Sequence, residues 1–387
     1  MDIALKARLR EHAPVYRVRV VLRKHTVMDA GTSAPNSHVR ALRLWLFAVA
    51  AMIFLTLVVG GATRLTESGL SITEWKPVTG VLPPLSQQAW QDEFKAYQAI
   101  PQYQERNRGM SLAAFKTIYW WEWTHRLLAR STGFVFLLPF LYFLWRGFVP
   151  KNLRARLWAI FGGGALLGAV GWWMVASGLA GSGRVSVSQY RLAFHLALAC
   201  AIYAAVLWTA QQIAPQPSTE APPRLRLGAL AIAALVLGQI YLGALVAGSG
   251  AGLVYNTWPL IDGAFVPASD RLWFFTPLWR NLFENTLTVQ FDHRMLAYVI
   301  WLAAIWHAWN AWRIGRDVRG ALVVAGAVTL QAALGTVTLV HQAALPLALA
   351  HQMVAIVVFT AAILHAERLW HRESLTVAGA AAQGVRA

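Results

Sequence analysis

Residues 122–129 have the sequence Glu122-Trp123-Thr124-His125-Arg126-Leu127-Leu128-Ala129, and residues 290–297 repeat its pattern as Gln290-Phe291-Asp292-His293-Arg294-Met295-Leu296-Ala297. Each stretch places a His-Arg pair at the start of a long apolar run. Each is followed, one predicted helix pair later, by another histidine near a helix start, His195 and His351. Ionisable residues inside apolar segments are costly and usually functional. The repeat therefore predicts two related sites, each built from two histidines.

The composition is typical of an integral membrane protein. Of the 387 residues, 57% are hydrophobic and only 13% are charged. The net charge of +17 is best explained by basic cytoplasmic loops that meet anionic membrane lipid, and we expect no nucleic-acid partner. The single cysteine, Cys200, lies in an apolar run, so an intrachain disulfide and a cysteine-based metal site are both excluded.

Eight apolar runs are long enough to span a membrane, which requires about 20 mostly apolar residues. They cover residues 42–62, 124–145, 155–177, 190–212, 227–248, 291–312, 320–340 and 347–367. Lysine and arginine are concentrated in the segments that lie inside when the N-terminus is inside, so both termini are predicted to be cytoplasmic. The expected location is the bacterial inner (plasma) membrane, with the mitochondrial inner membrane as the alternative.

Residues 1–41 form a basic N-terminal tail whose interpretation stays open. The segment is a cytoplasmic tail, or it resembles a transit peptide, or it lies partly before the true start at Met28. No cleavable signal peptide is evident in it.

The first four predicted helices match the last four. Gly60-Gly61-Ala62 corresponds to the glycine-containing segment 243–248, and Gly168-Ala169-Val170-Gly171 lines up with Ala333-Leu334-Gly335-Thr336. Because four helices is an even number, both units have the same orientation, and a pseudo-twofold axis runs along the membrane normal. We therefore predict an all-α polytopic membrane protein with eight transmembrane helices in two tandem four-helix bundles.

The predicted domains follow from this repeat. The N-terminal half comprises residues 42–212 and the C-terminal half residues 227–368. Between them, residues 213–226 form a cytoplasmic linker, and residues 369–387 form a cytoplasmic tail.

The four histidines are predicted in the first turns of helices two, four, six and eight, near the outer surface. Within each half, two facing helices then offer one neutral imidazole each, which is the arrangement for bis-histidine haem ligation in a helical bundle. Haem propionates need cationic partners near the surface. The candidates are Arg64, Arg126, Arg130, Arg191 and Arg294. The alternative for any single histidine is a hydrogen-bonded packing residue.

Three other histidines have no partner in the repeat. His307 and His365 lie toward the cytoplasmic ends of their predicted helices, and we expect them at the membrane interface. His341 ends helix seven on the outer side, and its role stays open.

The two halves differ at the position three residues before the first histidine of each pair. The N-terminal half has Glu122 there, one helical turn from His125, whereas the C-terminal half has Gln290. A carboxylate beside only one site indicates that this site is reactive and that the other relays electrons. Glu122 is a candidate for proton transfer or for stabilising positive charge. The alternative is a structural hydrogen bond or a salt bridge to Arg126 or Arg130.

Several ordered motifs resemble the haem A synthase family, and their sequences are most similar to those of its proteobacterial and mitochondrial branch. They are Gly60-Gly61-Ala62-Thr63-Arg64-Leu65-Thr66-Glu67-Ser68-Gly69-Leu70-Ser71 with Trp75 and Pro83-Pro84, Glu122-Trp123-Thr124-His125-Arg126, Ala251-Gly252-Leu253-Val254-Tyr255-Asn256-Thr257-Trp258-Pro259, and Glu284-Asn285 leading into Val289-Gln290-Phe291-Asp292-His293-Arg294. The similarity spans about residues 42–370. Some members have a cysteine pair in the first outer loop, but residues 63–119 contain no cysteine, so no thiol-based role carries over.

The resemblance implies a membrane oxidoreductase that oxidises the C8 methyl of haem O to a formyl group, giving haem A for cytochrome c oxidase. It implies a cofactor haem b, with iron held by His293 and His351 in the C-terminal half near Arg294. The substrate haem would be held by His125 and His195, with Glu122 catalytic. Expected partners are haem O synthase and a quinone-linked electron partner, and a homo-oligomer is left open.

Two other functions fit the same pattern. A di-haem b-type electron-transfer protein would have the same bundles and histidine spacing, but it would not alter haem. A haem carrier is a third class, which the lack of charged residues in mid-helix disfavours. Two histidine ligands leave no open position on iron for O₂, so either a ligand leaves or the substrate loses electrons stepwise to attack by water.

Overall fold

Helices make up the fold in residues 37–213 and 221–370, the part of the chain that this computed structural model describes. Within these residues, a single antiparallel bridge between Ile261 and Ala264 is the only strand-like pairing. The all-α class is therefore confirmed. The predictions for most of the N-terminal tail, for part of the linker and for the C-terminal tail lie outside the described residues.

Thirteen α-helices occur in the described residues. In chain order they are α1 (Ser37–Leu65), α2 (Gln87–Gln98), α3 (Pro101–Glu105), α4 (Leu112–Trp145), α5 (Lys151–Ala176), α6 (Gln189–Gln212), α7 (Pro223–Ser249), α8 (Ala251–Val254), α9 (Ser269–Leu272), α10 (Asn281–Glu284), α11 (Thr286–Ile314), α12 (Val318–Val340) and α13 (Leu345–Trp370). Two short 3₁₀ helices, Thr79–Val81 and Leu278–Arg280, lie in the two long loops that the sequence predicts to be on the outer side.

Seven of these described helices, α1, α4, α5, α6, α7, α12 and α13, are long and apolar enough to cross a membrane. They confirm a polytopic membrane protein. The eighth long helix, α11, has 29 residues, but its tryptophan, histidine and other polar side chains lower its hydropathy. Eight long helices are thus present in the described chain, and the eighth membrane span stays a prediction.

The helices that carry the histidines begin earlier than predicted. The apolar run at 124–145 is only part of α4, which begins at Leu112 after Ser111, whose hydroxyl accepts a hydrogen bond from the Ala114 amide and caps the helix. His125 is therefore more than three turns into its helix, and the other three histidines lie in second turns. The prediction of first-turn positions was wrong, because the helices begin before the apolar runs, and α4 and α11 begin at capping residues, Ser111 and Asn285.

The contacts among the long helices occur in the same order in both halves. In the N-terminal half, α1 packs against α4 and α6, and α5 packs against both of these. In the C-terminal half, α7 packs against α11 and α13, and α12 packs against both of these. The halves meet where α6 contacts α7 and α13, and where α1 contacts α13.

The first outer loop packs on top of α4. The sequence predicts an amphipathic helix at residues 86–99, lying at the membrane interface, and α2 occupies this segment. Its Tyr97 is fully buried, with its ring centroid 5.3 Å from that of Phe115 in α4. Trp90 contacts Tyr119 with the ring centroids 4.9 Å apart. The aromatic face of α2 therefore packs against α4, where its rings contact those of Phe115 and Tyr119.

Candidate histidine-pair site

Both histidines of the N-terminal half pack against a glycine of the helix before them. A Cβ added to Gly60 of α1 would lie 2.7 Å from Cε1 of His125, and one added to Gly171 of α5 would lie 3.0 Å from Cε1 of His195. Real Cβ atoms almost never come so close to another heavy atom, so these glycines leave the room that the imidazole rings occupy.

The histidines of the C-terminal half lie in the same surroundings. A Cβ added to Gly243 of α7 would lie 3.2 Å from Cε1 of His293, and one added to Gly335 of α12 would lie 2.8 Å from Cε1 of His351. These contacts pair Gly335 with Gly171. The sequence alignment had placed Thr336 opposite Gly171 and was wrong by one residue, because letter similarity does not reveal which side of a helix faces the ring.

The histidines also interact within each half. His125 is a neighbour of His195, and His351 is a neighbour of His293. Each of the four histidine residues is half-buried. The structure therefore brings the predicted residues together as two pairs, one in each half.

The donor set fits a haem iron. Nδ1 of His125 and Nδ1 of His195 are buried without a hydrogen-bond partner in the described chain, and each ring lies in a glycine cradle. No group of three or more His, Cys, Asp or Glu side chains within residues 37–213 and 221–370 could hold a metal ion. A zinc site needs three or four protein ligands, whereas a bis-histidine haem needs only two imidazoles from the protein.

Glu122 is buried and fully engaged. Its Oε2 accepts hydrogen bonds from Ser71 Oγ at 2.7 Å and from the Ile72 amide at 2.9 Å. Its Oε1 accepts from Arg126, with 2.6 Å to Nη2 and 3.1 Å to Nε. The structural alternative considered from the sequence, a salt bridge to Arg126, is thus present. The carboxylate ties the first outer loop to α4, and Arg130 does not contact it.

Arg126 and Arg294 hold the outer loops in matching ways. Arg126 donates to the carbonyls of Ile72 and Glu74, at 2.9 and 3.1 Å. Arg294 donates to the carbonyls of Tyr255 and Leu260, at 3.0 and 3.3 Å. Gln290, the counterpart of Glu122, donates to the Tyr255 carbonyl at 3.4 Å. The loop attachment is therefore common to both halves, and the buried carboxylate distinguishes the first.

The other candidate arginines also donate to backbone carbonyls. Arg64 donates to Ala247 at 2.9 Å, across the boundary between the halves, and Arg191 donates to Trp173 at 2.6 Å. Arg130 donates to Lys76 at 2.8 Å and to Pro77 at 3.0 Å. A cavity of about 260 Å³ lies beside Arg126 and Arg130, with Lys76 in its wall. Glu93, which pairs with Lys76, also lines this cavity, and the propionate role of the arginines stays a prediction.

Two glutamines were missed by the sequence reasoning. Gln239 of α7 lies against His293, and Gln331 of α12 lies against His351. Each precedes the cradling glycine by four residues, so the two lie on the same helix face. The sequence signal that could have revealed them is a glutamine one helical turn before each repeated glycine. It could be recognised only after the glycines were known to face the histidines.

His307 and His365 pack against each other inside the protein, while their expected depth at the membrane interface stays a prediction. Both are buried, at 5% and 1% exposure, and their Nε2 atoms are 2.8 Å apart. His365 Nδ1 lies 2.8 Å from Asp317 Oδ2. The two rings form a hydrogen-bonded pair inside the C-terminal half, because α11 and α13 turn these faces toward the interior. His341 is exposed, with Nδ1 2.8 Å from the Val337 carbonyl.

Comparisons with known proteins identify relatives of this chain. The model of a family described as "Cytochrome oxidase assembly protein" matches residues 43–363. The chain is 58% identical over 348 residues to a protein named "Heme A synthase" from Rhodopseudomonas palustris strain BisA53, covering 89% of this chain and 96% of the relative. It is 57% identical over 344 residues to a "Heme A synthase" from Bradyrhizobium diazoefficiens, covering 88% of this chain and 95% of the relative.

Proposed function

The chain belongs to the haem A synthase family of cytochrome oxidase assembly proteins, and we infer from this membership that it oxidises the C8 methyl group of haem O to the formyl group of haem A. It is an oxidoreductase of the membrane. The observation that carries the inference is the identity of 58% over nearly the whole length of a haem A synthase, together with the two histidine pairs.

We propose that the two halves have different tasks. His293 and His351 hold a resident haem b in the C-terminal half, with Arg294 fixing the loop above it. His125 and His195 hold the substrate haem in the N-terminal half. The matched glycine cradles support two haem sites of one design, and Glu122 against Gln290 supports a difference in chemistry. A bound haem supplies one-electron chemistry at its iron.

Glu122 is proposed to act on the substrate from beside His125. Its ion pair with Arg126 fixes the carboxylate in place, and a carboxylate favours positive charge developing nearby. The hydroxyl of Ser71, 2.7 Å from Oε2, is the group through which this carboxylate can exchange a proton. Arg126 also fixes Ile72 and Glu74 over α4, and this loop limits the entry of water from the outside.

The proposed architecture is two tandem four-helix bundles, at residues 42–212 and 227–368, related by a pseudo-twofold axis along the membrane normal. The repeated order of helix contacts supports it. The bacterial relatives support a plasma-membrane location, with both termini proposed to be cytoplasmic. Haem O synthase and a quinone-linked electron partner are the proposed neighbours, and the membrane supplies lipid contacts.

The test is to express the full chain together with a haem O synthase in cells that lack haem A. The haems are then extracted and identified by mass. Haem A, or a hydroxylated intermediate, is the expected product. Haem O alone, from a protein shown to be folded and haem-loaded, would overturn the proposed reaction. That outcome would favour a di-haem electron-transfer protein, since both pairs would then bind haem without altering it.

A further inference from the structure

The two glutamines contact the C-terminal histidines with the same geometry. The amide nitrogen of Gln239 donates to the backbone carbonyl of His293 at 2.9 Å and lies 3.1 Å from Nδ1 and 3.3 Å from Nε2 of that ring. For Gln331 and His351 the corresponding distances are 2.9, 3.1 and 3.4 Å. Each amide therefore joins an imidazole to its own main chain and restricts rotation of the ring.

Each glutamine also keeps an unused acceptor. The Oε1 atoms of Gln239 and Gln331 are buried, and no partner for them is found in the described residues. The carboxamide atom that lies beside each ring is the donor nitrogen, so the two glutamines hold the C-terminal imidazoles in orientation rather than accept their protons.

The N-terminal half has the cradling glycines but no glutamines. The residues four positions before Gly60 and Gly171 are Thr56 and Leu167. The hydroxyl of Thr56 donates to Met52 in its own helix at 2.8 Å, and leucine has no polar group. The backbone of Thr56 interacts with His125 as a hydrogen-bonding group. Neither Nδ1 of His125 nor Nδ1 of His195 has a partner with good hydrogen-bond geometry within the described chain.

We propose that Gln239 and Gln331 are positioning residues that make the C-terminal pair a permanent haem site. Thr56 and Leu167 leave the N-terminal pair able to take up substrate and release product. This inference rests on the proposed function, in which both pairs bind haem. A ring held in its ligating orientation loses less entropy on binding, and removing such an outer partner typically weakens a metal site about 10- to 100-fold.

The test compares Gln239→Met and Gln331→Met with Gln239→Glu and Gln331→Glu in the full-length, purified protein. Methionine keeps the volume and removes the amide, whereas glutamate keeps the shape and an oxygen but lacks the donor nitrogen. We measure the haem b to protein ratio, the rate of haem b transfer to a haem-scavenging protein, and the low-spin electron paramagnetic resonance signal. We expect haem b release to be about tenfold faster or more in the methionine variants, with a shifted signal, and no rescue by glutamate.

The N-terminal half supplies the matched controls. Thr56→Val and Leu167→Met should leave haem b release unchanged, and Leu167→Gln should slow release of haem from the N-terminal pair. Thermal unfolding shows whether each variant is folded. Wild-type release rates and signals in folded methionine variants would overturn the proposal. If a methionine variant fails to fold, unchanged N-terminal release in Leu167→Gln would overturn it.

The experiment distinguishes failure of the role proposed for the glutamines from failure of the proposed function. Haem A production together with unchanged haem b release in the methionine variants would sink only the role of the glutamines. Absence of haem A would sink the reaction, yet the release rates would still decide what the glutamines do.

Discussion

At the scale of single residues, the two halves are distinguished by a few side chains placed at equivalent positions. Glu122 of the N-terminal half corresponds to Gln290 of the C-terminal half. Gln239 and Gln331 of the C-terminal half correspond to Thr56 and Leu167 of the N-terminal half. The histidines and their glycines are common to both halves. The shared residues provide two similar pockets, so any difference in chemistry and in haem retention depends on the residues that differ.

Glu122→Gln is expected to abolish haem A formation while haem stays bound, because the amide keeps the shape but removes the charge. Arg126 loses its buried partner, so we also expect about 1–3 kcal/mol of destabilisation. Mass analysis of extracted haems and thermal unfolding measure the two effects. Glu67→Gln is the control, because its ion pair with Arg106 is exposed and worth at most about 1 kcal/mol. Normal haem A formation in Glu122→Gln would show that the carboxylate has no catalytic role.

His351→Ala is expected to remove the low-spin b-type absorbance, because one of the two axial ligands of the resident haem is lost. Visible spectra of the reduced, purified protein measure this. His341→Ala is the matched control, since that ring is exposed and bonds only to a backbone carbonyl in the described structure. A complete low-spin spectrum in His351→Ala would contradict the ligand assignment.

At the scale of elements, close helix packing depends on which faces of the helices lack side chains. α12 approaches α13 through Gly320, beside the hydrogen-bonded pair of His365 and Asp317. Gly326 lies on the same helix but faces open space. An added methyl group would therefore clash at Gly320 and have free space at Gly326, although the sequence around the two glycines is equally apolar.

Gly320→Ala is expected to destabilise the protein by about 1–3 kcal/mol, because the new methyl group would collide with Asp317 and lie 2.6 Å from His365 Nδ1. Gly326→Ala should be neutral or stabilise by up to about 1 kcal/mol, because alanine favours helix and no atom is near. Thermal unfolding in detergent compares the two. Equal melting temperatures would mean that the buried pair adapts without cost.

At the scale of the whole molecule, the two halves are joined both by contacts between long helices and by contacts of a loop. Gln352, next to His351, donates to the Leu57 carbonyl of α1 at 2.9 Å. On the outer side, the Tyr190 hydroxyl of α6 donates to Glu284 of α10 at 2.6 Å, and Arg280 donates to the same carboxylate. These contacts connect the second outer loop to the N-terminal half and fix the two sites relative to each other.

The outer contact should make stability depend on acidity. The hydrogen bond from Arg280, followed by that from Tyr190, lowers the pKa of Glu284 below its ordinary value of 4.5. A lowered pKa stabilises the folded state above the unfolded value, and this stabilisation is lost as the pH falls through the folded value. Between about pH 6 and pH 3.5, Glu284→Gln should therefore lower the melting temperature most at the upper end and least at the lower end.

Melting curves across that pH range test this expectation. The control is Glu105→Gln, whose carboxylate is exposed and makes no ion pair in the described residues. A constant difference between wild type and Glu284→Gln at every pH would contradict a role for the ionised carboxylate.

The sequence by itself determined the membrane class, the positions of the long helices to within a few turns, the four histidines and the family. These follow from composition, hydropathy and ordered motifs, which are properties of neighbouring residues. The asymmetry between Glu122 and Gln290 was also visible in it. The eighth membrane span, the bundle arrangement and the site roles remain proposals that the histidine and haem experiments test.

Only the tertiary structure decided what the side chains touch. Glu122 meets Ser71 across 51 positions of sequence, Gln239 meets His293 across 54, and His307 meets His365 across 58. Such contacts depend on how each helix is rotated about its axis and where a loop returns. Local patterns do not specify these, because a histidine facing a neighbouring helix and one facing lipid look alike in an apolar run.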